Sequence, residues 1–267
     1  MVYQMNFRTV DRGTVDRGTV DRGTVDRGTG TNNIISRQLT DKRFVVTQTL
    51  ESSPLILDIT KQPKTSIYLV YQYFIPNSEK RIAEMKETMV RNVSNKHFSK
   101  IILLNERMYT NEELGLDSTN NEMVIQIVIG RRMQFSDVFA CVEMYKLNGY
   151  IVTANSDIFF DDSISKLHYT DLEFSKKLIS LLRWEYRGEI DLRDCRLYGP
   201  MNCSQDTWIF HSNSNIKLSN RSSFNISFGQ PGCDNRILLE FWKLGFTLTN
   251  NPHVFRTYHC HDDETLR

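Results

Sequence analysis

Several groups of side chains in this sequence have the types and spacing that chemistry needs. The richest is YIVTANSDIFFDD, Tyr150 to Asp162, where an apolar run passes straight into Asn155, Ser156, Asp157, Asp161 and Asp162. Open α/β sheets bind ligands just beyond the carboxyl ends of their strands. A carboxylate there, Asp157, with the Asn155 oxygen two residues back, can hold a hard divalent cation and leave positions for phosphate oxygens. Asp161 and Asp162, followed by Ser163, read instead as caps of the next helical turn. His259 and His261 alternate along a terminal strand and so face the same way. They are either metal ligands or surface histidines on a fraying end. Arg131 and Arg132 fall between a strand end and a helix start, where guanidinium groups meet phosphate or simply stay solvated. Trp184 is a core residue by default, but beside Glu185 it could stack on a sugar ring while the carboxylate binds hydroxyls.

These residues need a frame, and the frame is legible from Ser66 onward. SIYLVYQYFI is β-branched and aromatic, bounded by Pro63 and Pro76, and predicts a buried strand. The segment EKRIAEMKETMVRNV sets Ile82, Met85, Met89 and Val93 at helical spacing behind a capping Ser78. KIILLNE and MVIQIVIG predict strands. FSDVFACVEMYKLNG predicts a helix capped by Ser136 and ended by Gly149, and YIVTAN predicts a further strand. This rhythm gives right-handed β-α-β crossovers and an open α/β, mainly parallel twisted sheet flanked by helices. Later, KLISLLRWEY, DTWIFHS and FTLTNNPHVFRTYH predict strands, and CDNRILLEFWKLG a helix closed by Gly245.

Before that frame, Thr9 to Gly28 are perfect copies of TVDRG. A five-residue period fits neither helix nor strand and offers one valine per copy, so residues 1–64 are expected to be a disordered repeat and linker, with a strand at Leu55 to Leu57 as an option. Residues 65–262 then form the domain and 263–267 a tail. The 267 residues carry 33 basic and 32 acidic side chains, a net charge of +1. That balance argues against a nucleic-acid partner held by phosphate neutralisation. No apolar stretch approaches the ~20 residues of a membrane span, and the first residues lack a secretory core. A cytoplasmic location is expected. The cysteines (Cys141, Cys195, Cys203, Cys233 and Cys260) are odd in number and form no C-x-x-C pair, so no disulfide framework is expected.

The segment TANSDIFFD resembles the D-x-D region of GT-A-type glycosyltransferases, with Asn155 in place of the first acid. SQDTWIFHS, GQPGCDNRILLEFWKLGF and NPHVFRTYHCH, in that order, resemble the second half of GT-A enzymes of the large DNA virus (chlorella-virus) type. SIYLVYQYF and GRRMQFSD fit the same family. The resemblance implies a GT-A fold and a nucleotide-sugar donor, a UDP- or GDP-sugar. It implies a glycan or glycoprotein acceptor and, for a viral protein, the host cytoplasm. It also implies Mn2+ or Mg2+ on Asp157, with His259 or His261 completing the shell. Tyr71, Arg131, Arg132, Asn155 and Ser156 would join Asp157 around the donor. For an inverting transfer Asp206 is the first choice of base, and Asp234 the second unless it only caps its helix. Two other readings compete: a metal-dependent hydrolase using the H-x-H pair for zinc, and a non-catalytic nucleotide- or sugar-binding protein.

Overall fold

The computed structural model describes residues 2–9, 44–51, 65–117, 122–188, 191–199, 204–214, 216 and 218–261. The TVDRG copies after Thr9, the Leu55 to Leu57 run and the 263–267 tail lie outside them. Within the 1–64 leader, β1 (Val2–Thr9) and β2 (Phe44–Glu51) are described as backbone strands that pair antiparallel.

From Ser66 the strand–helix alternation is present. β3 (Ser66–Tyr71) leads to α1 (Glu79–Ser94), β4 (Lys100–Asn105), the single turn α2 (Asn111–Leu114), β5 (Val124–Val128), α3 (Phe135–Met144) and β6 (Gly149–Ala154). Every residue of β6 is buried, as in a strand covered on both faces. Side-chain alternation divides the core into two layers. Ile67, Leu69 and Tyr71 of β3 pack with Ile101 and Leu103 of β4 against Met85, Met89 and Val93 of α1. Val70, Ile102 and Leu104 point the other way, toward Phe135, Val138 and Phe139 of α3. Burying aliphatic and aromatic side chains of this size contributes about 1.5–3 kcal/mol each.

The second half holds β7 (Ile158–Phe160), β8 (Lys177–Leu181), β9 (Trp184–Tyr186), β10 (Arg196–Leu197), β11 (Thr207–His211), α4 (Cys233–Lys243), β12 (Thr247–Thr249) and β13 (Thr257–Cys260). The large sheet runs β2-β1-β12-β8-β11-β6-β3-β4-β5, and all its strands except β1 and β11 point the same way. A small sheet runs β10-β9-β13-β7. KLISLLRWEY, expected as one strand, is therefore split between the two sheets, and so is FTLTNNPHVFRTYH. The break is imposed by distant parts of the chain. Leu182 N donates to the Asn250 side chain at 3.2 Å and its carbonyl accepts from Thr257 Oγ1 at 3.4 Å, so the ladder of the large sheet stops there.

Helix ends differ from expectation in three places. Ser78 stands at the N-cap of α1 but its side chain makes no cap hydrogen bond. α3 starts after Gln134, whose N–H donates to Asp137 Oδ2 at 2.8 Å, so Asp137 and not Ser136 caps it. Gly149 does not end α3, which stops at Met144; it opens β6. Its φ is +152°, and a Cβ built there would lie 2.1 Å from the Ser66 carbonyl oxygen on the neighbouring strand. Gly149→Ala is thus expected to push β6 away from β3 and cost about 1–3 kcal/mol. Chemical denaturation should show the loss; an unchanged midpoint would mean that the two strands are not held this close.

Candidate functional site

The chain leaves β6 through the turn Asn155-Ser156-Asp157 and enters β7 of the small sheet at once. The turn is pinned from several sides. Asn155 N donates to Asp206 O at 2.9 Å, Ile158 N to Asn155 O at 3.2 Å, and Cys260 N to Asp157 O at 2.9 Å. α1 holds the far side, because Asn92 Nδ2 donates to Ile158 O at 2.9 Å while its Oδ1 accepts from Phe160 N at 3.2 Å. Asn95 adds bonds to the carbonyls of Phe160 and Asp161.

On this support Asp157, His259 and His261 each present one ligand atom, and the three atoms lie within 4.8 Å of one another. Asp157 Oδ2 is 2.8 Å from Arg81 Nη2 and 3.3 Å from His259 Nε2. Burial works against ionising Asp157, but His259 and Arg81 outweigh it and hold the carboxyl well below the usual range. Burial likewise opposes charge on His259, yet Asp157 and Glu185 raise it to about 9. The His261 imidazole is pushed down, by burial first and then by Arg81 and His259.

A chain of charged contacts continues behind the triad. His259 Nδ1 lies 3.3 Å from Glu185 Oε2, and Arg183 Nε donates to Glu185 Oε1 at 2.8 Å. Arg183 Nη1 donates to Asp206 Oδ2 at 2.5 Å, and Asn155 Nδ2 to Asp206 Oδ1 at 2.6 Å. Burial pushes the Asp206 carboxyl up against the opposing pull of Arg183. Asn155 Oδ1 is buried and accepts no hydrogen bond among the described residues.

Asn155 also lines a cleft. A cavity of about 140 Å³ is lined by Asn155, Ser156, Asp157, Arg132, Gln72 and Phe74, among others. A neighbouring one of about 390 Å³ shares Gln72, Phe74 and Arg132 and extends to Arg107 and Tyr109. Gln72 builds the wall between them: its Nε2 donates to Arg131 O at 3.0 Å and its Oε1 accepts from Met133 N at 3.0 Å, which fixes the backbone on both sides of Arg132. Arg132 is exposed, and its guanidinium sits beside Gly229, where a Cβ would come within 3.5 Å of Nη2.

The expected site residues divide accordingly. Asp157, His259 and His261 meet, and Asn155, Ser156 and Arg132 share the cleft beside them. Tyr71 does not reach it: the ring is 1% exposed in the core and its hydroxyl donates to Met89 Sδ. Alternation explains this, since the odd positions of β3 face α1. Arg131 turns away and forms two bonds with Asp137, at 2.8 and 2.7 Å. Trp184 donates its indole N–H to Pro252 O at 2.9 Å and is covered by Arg256, and Glu185 lies behind His259 rather than open to an acceptor. Asp206 is 8% exposed with both oxygens occupied. Asp234 sits half-buried in the first turn of α4, raised by burial against backbone N–H donors and close enough to Asp206 to feel its charge. Asp161 does cap the following turn, accepting from Ser163 N at 2.9 Å.

No family model matches the sequence, and no curated protein does. Among solved structures, the mannosyltransferase PcManGT from Pyrobaculum calidifontis, in complex with GDP-Man and Mn2+, is similar with a TM-score of 0.47 and 8% identity, over 78% of this chain and 61% of that one. GalNAc-T7 with UDP, GalNAc and Mn2+ is similar with a TM-score of 0.45 and 10% identity, over 76% of this chain and 45% of that one. This chain thus spans less than two thirds of the length of either.

The charge arrangement has a measurable consequence. His259 is raised in the folded protein, so its contribution to stability is complete below the ordinary histidine range and is lost as pH rises through about 9. Wild-type melting temperature should therefore fall between about pH 7 and pH 10. His259→Gln should lack that limb. An identical alkaline decline in both proteins would place the charge elsewhere.

Proposed function

We propose that this protein is a glycosyltransferase that moves a sugar from a nucleoside-diphosphate sugar to a glycan acceptor, using a divalent cation. The observation that carries the reading is the Asp157–His259–His261 triad, whose Asp157 lines a cleft together with Asn155, Ser156 and Arg132. Two imidazoles and a carboxylate suit Mn2+ better than Mg2+, which prefers an all-oxygen shell. When bound, the cation neutralises charge on the departing nucleoside diphosphate.

The chain's own residues do the rest. Arg132 reaches phosphate oxygens from the opposite wall, with its backbone held still by Gln72. The Asn155 amide is oriented by Asp206, which holds this wall of the cleft in place. Of the two candidate bases we assign Asp234, because both Asp206 oxygens are taken up by Asn155 and Arg183, while burial makes the Asp234 carboxylate a stronger base. Asp206, committed to Asn155 and Arg183, is a positioning residue. The same His-His-carboxylate set also suits a zinc-bound hydroxide, so a zinc hydrolase is the second reading.

Calorimetry with UDP or GDP, with and without Mn2+, is the test. Metal-enhanced nucleotide binding is expected, and Asp157→Ala should abolish the enhancement while the protein stays folded. Binding of zinc without any nucleotide response would favour the hydrolase. Asp234→Asn should lower the transfer rate ~10²- to 10⁴-fold with donor binding nearly unchanged. Asp206→Asn should instead weaken the fold, by about 1–3 kcal/mol, because it removes one of the two carboxylates paired with Arg183 and leaves Glu185 alone to balance it. A normal transfer rate in Asp234→Asn would remove that residue as the base.

A further inference from the structure

Arg81 occupies the side of Asp157 that a cation would need. Its Nη2 lies 2.8 Å from Asp157 Oδ2, the same oxygen that faces His259 Nε2 at 3.3 Å. The contact is sheltered, with side-chain exposures of 22% for Arg81 and 17% for Asp157. A guanidinium and a divalent ion on one carboxylate oxygen repel each other strongly at such distances in a poorly solvated site. Arg81 also has somewhere to go. Its Nη1 already donates to Glu84 Oε2 at 2.5 Å, one helical turn on, and to Cys260 O at 3.2 Å. Releasing Asp157 would therefore not leave the guanidinium unpaired.

We infer that Arg81 is a built-in counter-cation, which neutralises Asp157 while no metal is bound and competes with the metal for it. The inference rests on the metal-dependent reading above and adds an order to it. Asp157 is the only carboxylate of the triad, so a bare ion meets a site whose negative charge is already matched. A nucleoside diphosphate brings charge that the ion and the released guanidinium can share. Cation and diphosphate then bind as a pair, each weakly without the other.

The experiment is Mn2+ titration of the full-length protein by calorimetry at one fixed pH, with and without UDP or GDP, for wild type, Arg81→Gln and Arg81→Lys. Circular dichroism and melting check each fold. Arg81→Gln should bind Mn2+ alone about tenfold more tightly than wild type, because a competing charge is gone. The tightening of Mn2+ by nucleotide, large in wild type, should shrink in the variant. Equal or weaker Mn2+ binding by a folded Arg81→Gln overturns the inference and leaves the metal reading standing. If neither protein binds Mn2+ with or without nucleotide, the metal reading fails and the inference with it. Should Arg81→Gln not fold, Arg81→Lys decides: its shorter single-point charge should still tighten Mn2+ severalfold, and unchanged or weaker binding counts against the inference.

Discussion

Asp157 is a largely buried carboxylate at the seam between two sheets, and much of the surrounding structure exists to make that tolerable. An ionised group removed from water needs a counter-charge and bonds to its lone pairs. Arg81 and His259 supply the first, from the start of α1 and from β13. The backbone around it is fixed by Cys260 N and by the asparagines of α1, which bond β7 where the seam would otherwise open. This explains why the buried face of α1 carries Asn92 among its methionines. A wholly apolar face would cover β7 but leave its carbonyls without donors.

The polar network behind the triad obeys the same constraint over a longer range. Glu185, Arg183 and Asp206 are each partly desolvated, and each is satisfied by the next. Such chains are costly when incomplete and rigid when complete. The gap falls at Asn155 Oδ1, which is buried and accepts no hydrogen bond among the described residues, on a residue that also lines the cleft. An unsatisfied buried acceptor costs free energy, and the network carries that cost beside the cleft.

Much of this was legible in the sequence, for identifiable reasons. β3, β4 and β6 announce themselves because largely buried strands read as unbroken aliphatic runs. Asp157 stands out because it follows one, and His259 and His261 because period-two spacing puts them on one face. Arg81 was missed among the charges of an amphipathic helix. Its signal was its position, four residues before Met85 and so on the inner face, where a charge requires a partner. Gln72 and Arg183 gave no signal, since their roles depend on loops brought close only in three dimensions. Tyr71 and Arg131 point away from the cleft, because proximity to a strand end does not fix which way a side chain points. The division into two sheets was hidden as well. KLISLLRWEY is continuous in pattern, and the interruption comes from Asn250, far along the chain.

The sequence distances within the site bear on how it forms. Asp157 and His259 are 102 residues apart, Arg81 and Asp157 are 76 apart, and Glu185 and His259 are 74 apart. Contacts of such separation are slow to form, because loop closure must be met before the contacts repay it. β13 closes the site near the end of the chain and bridges β7 and β9. Until it docks, Asp157 has Arg81 but not His259, and Glu185 has Arg183 alone. Any ligand that bridges Asp157 and the two histidines binds only the completed arrangement, and so stabilises the domain in proportion to its affinity.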